Sequence, residues 1–219
     1  MTRIFRSTSI EVANRLEQLG WTREELLEVV DAMVASRNSC TDNDPSSAPG
    51  WMSWKDGTRR LREIARPKGL EKSEADQIPW AVDVERGIRF AVSNTDNGTG
   101  LPYPRQPQNR SKKGPATDRA ISSNQGCLFD FDDMLGKVVP LSMAGRQPGI
   151  VVSWYLCVYA EGDEVRAELS CPAALEGGFF AGFLERIVLI GSDPGDGITR
   201  RRDDDDGPEY EIPVTRKAQ

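Results

Sequence analysis

The segment 149–159, with the sequence GIVVSWYLCVY, is the strongest β-strand signal in the chain. Its residues are apolar at both alternating positions, and a strand of this kind needs apolar cover on both faces. The segment therefore predicts the central strand of a sheet that is packed on two sides. A turn at Glu161–Asp163 and an alternating run at Val165–Leu169 predict that the chain returns as a hairpin.

Further strands are predicted on both sides of this hairpin. Ile88–Val92 reads as a short strand, Glu185–Ile190 as another, and Glu209–Val214 as a late edge strand. Gly177–Phe180 predicts a bend that carries core aromatic residues. The part of the chain after residue 80 is therefore expected to be rich in β-structure.

The first 75 residues have a helical pattern instead. Capping boxes at Thr8–Glu11 and Thr22–Glu25 each begin an amphipathic run, which predicts two helices packed as a hairpin with Trp21 between them. The second helix is acidic at its start, which argues against a DNA-reading helix-turn-helix. Trp51–Arg66 predicts a third helix, which the following proline ends.

Together these patterns predict an α+β protein with two regions. Residues 1–75 are expected to form a helical region, made of an αα-hairpin and a basic third helix. Residues 80–219 are expected to form a mostly antiparallel β-sheet with a central basic loop and one inserted helix that begins at Pro115. At 219 residues the chain is long enough to bury a core without disulfides or metals.

Composition narrows the chemistry that this chain can perform. The sequence has no histidine, which excludes Ser-His-Asp and Cys-His catalysis and histidine-ligated metals. Its four cysteines, at positions 40, 127, 157 and 171, form no C-x-x-C pair, so reduced thiols are favoured over a zinc site and no cofactor is expected. The sequence has no apolar run of about 18 residues and no signal peptide. We therefore expect a cytoplasmic location and no membrane partner.

The net charge is −6, yet the basic residues are concentrated in two patches. Between Ser53 and Lys72, seven basic residues accompany three acidic ones, and between Leu101 and Arg119 five accompany one, so each patch carries +4 and the remainder −14. Salt screens charges that are more than about 8–10 Å apart. A basic patch can therefore bind phosphates even though the rest of the protein surface is acidic. A solvated surface is the alternative interpretation of either patch.

The first patch lies on the predicted third helix. Four cations recur there at spacings of four, three and four, which places them on one helical stripe: Lys55, Arg59, Arg62 and Arg66. We expect this stripe to be exposed, with Trp54 and Leu61 buried on the other side of the helix. Like charges at this spacing repel one another, so the stripe needs either an anionic partner or salt bridges to the acidic remainder.

The second patch lies within the segment Phe90–Gly126 and predicts an anion site at the start of a helix. It holds five cations: Arg105, Arg110, Lys112, Lys113 and Arg119. Pro115 is favoured at the first helical position, which places Gly114 at the N-cap and aims free backbone N–H groups toward the loop. A flexible basic surface loop is the alternative.

These patches predict a non-enzymatic module that binds nucleic acid or another phosphate-bearing ligand, with a protein partner in a larger assembly. The segments WKDGTRRLRE and RSKKGPATDRA resemble parts of bacterial proteins encoded in mobile or defence islands, and this resemblance implies no activity and assigns no residue a role. A protein-binding subunit or inhibitor that uses its acidic surface is one alternative.

A metal-dependent nuclease or a nucleotide-processing enzyme is the other alternative. Such chemistry needs converging carboxylates, for which the sequence offers five candidates: Asp130, Asp132, Asp133, Glu164 and Glu168. The chain has no acid-x-Lys triplet, however, and neither of the common glycine-rich phosphate-binding motifs. The sequence therefore favours a binding module over an enzyme.

Overall fold

The apolar segment that predicts a central strand lies in the middle of the sheet. The computed structural model describes residues 2–126 and 151–191. Within these residues, the strand Val152–Glu161 is the fourth in a sheet of seven. It has a neighbouring strand at each edge and a packed layer on each face, as its two apolar faces require.

Seven strands and four α-helices make up the described part of the chain. The strands are β1 (Thr2–Arg6), β2 (Glu71–Ser73), β3 (Trp80–Asp83), β4 (Ile88–Asn94), β5 (Val152–Glu161), β6 (Glu164–Glu176) and β7 (Phe179–Ile190). The helices are α1 (Ser9–Gln18), α2 (Arg23–Asn38), α3 (Ala48–Ala65) and α4 (Pro115–Gly126). Single turns of 3-10 helix lie at Arg66–Lys68 and Ala75–Gln77.

The sheet is mixed, with the strand order β1-β7-β6-β5-β4-β3-β2. β1 runs parallel to β7 and β4 runs parallel to β5, whereas the other four neighbouring pairs are antiparallel. The prediction of an α+β protein is confirmed at this level, and the inserted helix begins at Pro115 as predicted. The expected helical region, residues 1–75, needs correction, because it also contains β1 before α1 and β2 after α3, which form the two edges of the sheet.

Helices α1, α2 and α3 cover one face of the sheet. Their buried apolar side chains meet inward residues of the strands, such as Trp154 and Leu156 on β5. Trp21, between α1 and α2, packs edge-on against Phe90 of β4, with 5.4 Å between the ring centroids. Because apolar burial contributes about 25 cal/mol per Å², this larger core supplies most of the apolar stabilisation.

Helix α4 and the loop that leads to it cover the opposite face. Tyr155 and Cys157 alternate with Trp154 and Leu156 along β5, and their side chains point to this second side. The core there is smaller and rich in rings, which contact one another at centroid distances of 5.3–5.9 Å: Trp80 with Tyr155, Tyr155 with Phe180, and Phe180 with Phe183. The sheet is thus the middle of three layers.

The two capping boxes predicted near the N-terminus form differently. At the start of α2, the Glu25 N–H donates to the Thr22 hydroxyl at 3.2 Å, and the Thr22 N–H donates to the Glu25 carboxylate at 2.8 Å. At the start of α1, the Thr8 hydroxyl donates instead to the Glu11 carboxylate at 2.7 Å. The side chains of Thr8 and Glu11 therefore satisfy no backbone N–H of α1, although α1 begins where this motif predicts.

Three features predicted from the sequence lie outside the described residues. They are Cys127, the acidic run with Asp130, Asp132 and Asp133, and the late strand Glu209–Val214. Among the helices of residues 2–126 and 151–191, none is long and apolar enough to cross a membrane. The predictions for Cys127, the acidic run and the late strand remain predictions.

The described cysteines form no disulfide with one another and differ in exposure, which predicts two classes of reactivity. Cys157 and Cys171 are buried, whereas Cys40 is half-exposed just after α2. Burial raises the pKa of the Cys157 thiol, and the thiolate is the reactive form. We expect the thiol reagent DTNB to modify Cys40 in native protein much faster than the two buried thiols, and denatured protein to show all four thiols.

Two variants control this measurement. Cys40→Ser should remove a fast native reaction, and a further Cys127→Ser change removes the contribution of the remaining cysteine. Fewer than four thiols in fresh denatured protein would show that the cysteines are not all reduced. A fast native reaction that survives both substitutions would show that the sheet does not protect its thiols.

Candidate functional site

The loop between β4 and α4, residues 95–114, lies across the sheet face that α4 also covers. We call this segment the β4–α4 loop. The backbone N–H of Gly100 donates to the carboxylate of Glu168 on β6 at 2.7 Å. The guanidinium of Arg186 on β7 donates to the carbonyl of Arg105 at 3.0 Å. Strands of the sheet therefore hold the backbone of the loop at several points.

A buried ion pair between Glu168 and Arg186 provides these anchors. Both side chains are 0% exposed, and they meet through two contacts, Nη2 to Oε2 at 2.5 Å and Nε to Oε1 at 2.8 Å. The hydroxyl of Ser170 donates to Oε1 of the same carboxylate at 2.5 Å. A buried pair is stable when further hydrogen bonds satisfy its remaining polar atoms, and the loop backbone supplies them.

Asn109 provides a second clamp near the end of the loop. Its Oδ1 accepts from the Phe180 N–H at 2.9 Å, and its Nδ2 donates to the carbonyls of Ser111 and Gly178 at 2.7 and 2.9 Å. The Lys113 N–H also donates to the Gly178 carbonyl, at 2.9 Å. Gly178 has a φ of +93°, and a Cβ there would lie 2.8 Å from the Lys113 carbonyl oxygen, so this close approach requires glycine.

The basic stripe predicted on α3 is not uniformly exposed, because Arg62 turns toward the sheet. Its side chain is only 18% exposed. It donates to the carbonyls of Ser73 and Trp80 at 2.8 and 3.3 Å, and to the Glu74 carboxylate at 2.8 Å. Arg62 therefore ties α3 to β2 and β3, and it has a structural role in place of the expected exposed position.

The other members of the stripe lie at the surface and carry much of their own counter-charge. Lys55 and Arg59 both contact Asp56, at 3.2 and 3.4 Å. A hydrogen bond from Ser36 and these two cations lower the pKa of Asp56 below its usual value. Arg66 is exposed and has no ion pair with any described residue. The predicted stripe thus presents one arginine without an ion pair, directly after the end of α3, in place of an unopposed row of four.

Two of the five loop cations are also paired within the protein. Arg110 donates to the carbonyl of Thr95 at 3.1 Å and to the Glu161 carboxylate at 3.2 Å. Arg119, in α4, contacts the carboxylate of Asp76 at 2.6 Å. The sequence predicted all five as ligands for one anion, but the structure gives these two other partners.

The remaining three loop cations keep their charge unpaired. Arg105 and Lys112 are exposed, and their side chains form no ion pair with residues 2–126 or 151–191. The Lys113 side chain is half-buried, and burial lowers the pKa of its amine. The thiol of Cys157 is near enough to oppose that change in pKa, but the described residues supply no carboxylate for the amine. These cations are the part of the predicted site that remains available.

The start of α4 offers fewer backbone donors than the sequence predicted. Pro115 has no N–H, and the N–H groups of Thr117 and Asp118 both donate to the Gly114 carbonyl, at 3.1 and 3.3 Å. In the first turn, this leaves the Ala116 N–H without a backbone acceptor among the described residues. The helix end therefore contributes one free donor, and the side chains must supply most of any anion contact.

An exposed tyrosine that the sequence analysis missed lies on the same loop. Tyr103 is 69% exposed. It lies in a tight turn closed by a hydrogen bond from the Arg105 N–H to the Pro102 carbonyl at 3.1 Å. Arg105, two residues after Tyr103, is one of the unpaired cations. The prolines on either side of Tyr103 were the available signal, because a proline-flanked ring in a turn has little room to fold into a core.

The carboxylates considered for a nuclease do not gather in the described part of the chain. Glu168 is occupied by Arg186, and Glu164 is exposed and contacts Arg166 at 3.1 Å. Residues 2–126 and 151–191 contain no group of three or more acidic or cysteine side chains that could hold a metal ion. The described residues therefore supply no carboxylate cluster for metal-dependent hydrolysis.

Comparison of the chain with known protein families, with characterised proteins and with solved structures finds no match. The chemistry of the site is therefore the basis for assigning a function. The site consists of an anchored loop that carries an exposed aromatic ring, two exposed cations and one half-buried lysine, none of the three cations having a carboxylate partner among the described residues. Groups of this kind contact phosphate oxygens by charge and nucleobases by stacking.

The anchoring of the loop can be tested at its ion pair. We expect Arg186→Met to lower the free energy of unfolding by about 3–5 kcal/mol, because it leaves the Glu168 carboxylate buried and unpaired. The double variant Arg186→Met/Glu168→Leu should recover part of that loss, since it removes the unpaired charge as well. Urea unfolding followed by circular dichroism measures both. A single variant within about 1 kcal/mol of the unmodified protein would mean that the pair does not hold the loop.

Proposed function

We propose that this protein is a nucleic-acid-binding module, without an enzymatic activity of its own, that works within a larger assembly. The binding surface is the outward side of the β4–α4 loop. Arg105, Lys112 and Lys113 contact phosphates of the bound strand, and Tyr103 offers its ring to a base. The stripe on α3 has a secondary role in this proposal, since Arg62 is engaged with the sheet.

The observation that carries the proposal is the unpaired charge of the loop. Within the described residues, Arg110 and Arg119 have carboxylate partners, whereas Arg105, Lys112 and Lys113 have none. A cation that already has a carboxylate must give it up before it can bind a phosphate. An unpaired cation has no such cost, and each phosphate that it neutralises releases counterions from the nucleic acid.

Lys113 adds a second reason to expect an anion at this place. Its amine has lost part of its hydration, which lowers its pKa, because the charged form is poorly solvated there. A phosphate oxygen beside the amine would replace the lost water contacts and favour the charged form. Binding of an anion should therefore raise the pKa of Lys113 toward the ordinary value of a lysine.

The fixed backbone of the loop favours binding by lowering its entropic cost. Ordering a mobile loop on a ligand costs free energy, and a loop that is already anchored avoids most of that cost. Here the ion pair of Glu168 and Arg186 holds the middle of the loop, and Asn109 holds its end. The unpaired side chains are therefore presented from a stable support.

Tyr103 favours a single strand over a duplex as the ligand. Stacking of a base on an aromatic side chain contributes about 1–3 kcal/mol, and it requires a base face that is not already stacked in a helix. Bases of a single strand can meet this requirement, whereas those inside a duplex cannot. The exposed ring beside unpaired cations is the combination that single-strand-binding surfaces use.

The first test removes the three unpaired loop cations. We expect Arg105→Ala/Lys112→Ala/Lys113→Ala to weaken binding of a single-stranded oligonucleotide, measured by fluorescence anisotropy across a salt series. Three lost phosphate contacts should reduce the slope of log K against log salt by about two units. The matched control is Lys55→Ala/Arg59→Ala/Arg66→Ala, which removes the same charge from α3 and should change the slope less.

Two outcomes would contradict the proposed surface. If the loop variant folds, as judged by circular dichroism, and binds with unchanged affinity and slope, the loop is not the binding surface. If the α3 variant loses more affinity than the loop variant, the nucleic acid lies on the helical stripe. A protein that binds neither DNA nor RNA strands at low salt would contradict the function itself.

The second test concerns the ring of Tyr103. We expect Tyr103→Ala to weaken binding to a single strand by about 5- to 150-fold, the equivalent of one lost base stack. The salt slope should stay the same, because no phosphate contact is lost. Tyr103→Phe is the control and should bind almost as the unmodified protein does. Equal affinity of Tyr103→Ala and Tyr103→Phe would show that the ring does not stack on a base.

A further inference from the structure

A second group of unsatisfied polar side chains lies on the same sheet face, beneath α4 and away from the outer surface of the β4–α4 loop. Trp80 and Tyr155 lie on β3 and β5, with 5.4 Å between their ring centroids. Arg89, on the intervening strand β4, has its guanidinium carbon 4.2 Å from the centroid of the Trp80 ring. An arginine and two aromatic residues with polar atoms are therefore neighbours in one place.

Arg89 has hydrogen-bonding capacity to spare. Its Nε donates to the hydroxyl of Ser153 at 2.9 Å, but its two terminal nitrogens have no acceptor among residues 2–126 and 151–191. The side chain is half-buried, and burial lowers the pKa of its guanidinium. The charge of Asp76 opposes that change, but the carboxylate of Asp76 contacts Arg119 instead. The forked end of Arg89 is thus a partly dehydrated cation without a counter-ion.

Tyr155 and Trp80 each carry a buried polar atom that lacks a partner. Tyr155 is 2% exposed and Trp80 is 0% exposed. Neither the Tyr155 hydroxyl nor the indole N–H of Trp80 has a hydrogen-bond partner in the described residues. Thr117 of α4 lies beside the hydroxyl, but outside hydrogen-bonding geometry. Each such buried group costs about 1–3 kcal/mol when it is left without a partner.

The charge of Arg89 and the hydroxyl of Tyr155 lie within electrostatic reach of one another. Burial raises the pKa of the tyrosine hydroxyl, and the positive charge of Arg89 opposes that rise. Because burial keeps the hydroxyl protonated, it is a hydrogen-bond donor at neutral pH. Arginine is a donor only, whereas a tyrosine hydroxyl can also accept, but no hydrogen bond joins the two side chains in this structure. The hydroxyl hydrogen of Tyr155 and the terminal N–H groups of Arg89 therefore both need an external acceptor.

We propose that Arg89 and Tyr155 form a binding site for an oxyanion, the phosphate or carboxylate group of a small ligand, on the sheet face beneath α4. The planar fork of Arg89 matches two oxygens of either group. The Tyr155 hydroxyl donates to one of the same oxygens. The ring of Trp80 supports the guanidinium from one side and fixes its plane. This site is separate from the nucleic-acid surface proposed above and does not depend on it.

Thermal unfolding in the presence of simple anions tests the site. The probes are inorganic phosphate and acetate, each exchanged for chloride at constant ionic strength. At about ten times its dissociation constant, the anion that fits should raise the Tm by about 3–6 °C. A response to phosphate alone, or to acetate alone, identifies the chemical class of the ligand. No response to either anion would overturn the proposal.

Variants of the two donors assign the response to this place. Arg89→Gln should abolish the rise in Tm, whereas Arg66→Gln, which changes an exposed arginine without an ion pair, should leave it intact. Tyr155→Phe keeps the ring and removes the unsatisfied hydroxyl. We expect it to weaken anion binding by about 5- to 10-fold while the Tm without anion stays the same or rises.

The remaining outcomes separate this site from the loop and from a purely structural role. The loop variant Arg105→Ala/Lys112→Ala/Lys113→Ala should show the full rise in Tm with the anion. If this variant loses the rise in Tm, the anion binds to the loop and the proposal is overturned. If Arg89→Gln does not fold, the dissociation constant of the anion for Tyr155→Phe decides whether the site exists. An unchanged dissociation constant in Tyr155→Phe would show that the hydroxyl takes no part in a site.

Discussion

The buried ion pair between Glu168 and Arg186 is the interaction on which the second face of the sheet depends. A loop that crosses a sheet face carries backbone groups that need hydrogen-bond partners away from water. The pair supplies an acceptor for the Gly100 N–H and a donor for the Arg105 carbonyl. The ring of Phe5 lies 5.1 Å from the guanidinium, so the first strand meets the same charged group. One ion pair therefore joins the beginning, the middle and the end of the described chain.

This pairing also determines which loop charges remain available. The Glu168 carboxylate already accepts hydrogen bonds from three residues, so it has little capacity for a cation of the loop. The loop cations must find carboxylates at the periphery, where Arg110 meets Glu161 and Arg119 meets Asp76. The other three loop cations are left without a carboxylate among the described residues. The unpaired charge of the loop is thus a consequence of complete pairing beneath it.

Local sequence patterns predicted most elements of the fold but not the partners that they meet. The central strand β5 was predictable because a strand with two apolar faces must lie inside a sheet that is covered on both sides. Helix α4 was predictable because proline is favoured in the first turn of a helix. Strand β1 could not be predicted, because its five residues show no clear apolar alternation. One of its interactions, between Arg6 and Glu185, joins residues that are 179 positions apart in the sequence. Within the candidate site, charge located the two patches, but only the folded chain shows that Arg62 binds the carbonyl of Ser73. Ion pairing follows from tertiary distance, which spacing in the sequence does not contain.

Two arginines on the same face of the sheet show what an unsatisfied arginine implies. Arg186 is fully buried and has a carboxylate on one side and loop carbonyls on the other. Arg89 is half-buried and has one hydrogen bond, to Ser153. If Arg89 served packing alone, an apolar side chain of similar volume would cover Trp80 without taking a charge out of water. The chain instead places a cation there, beside a tyrosine hydroxyl that also lacks an acceptor. A single bound oxyanion would satisfy both donors.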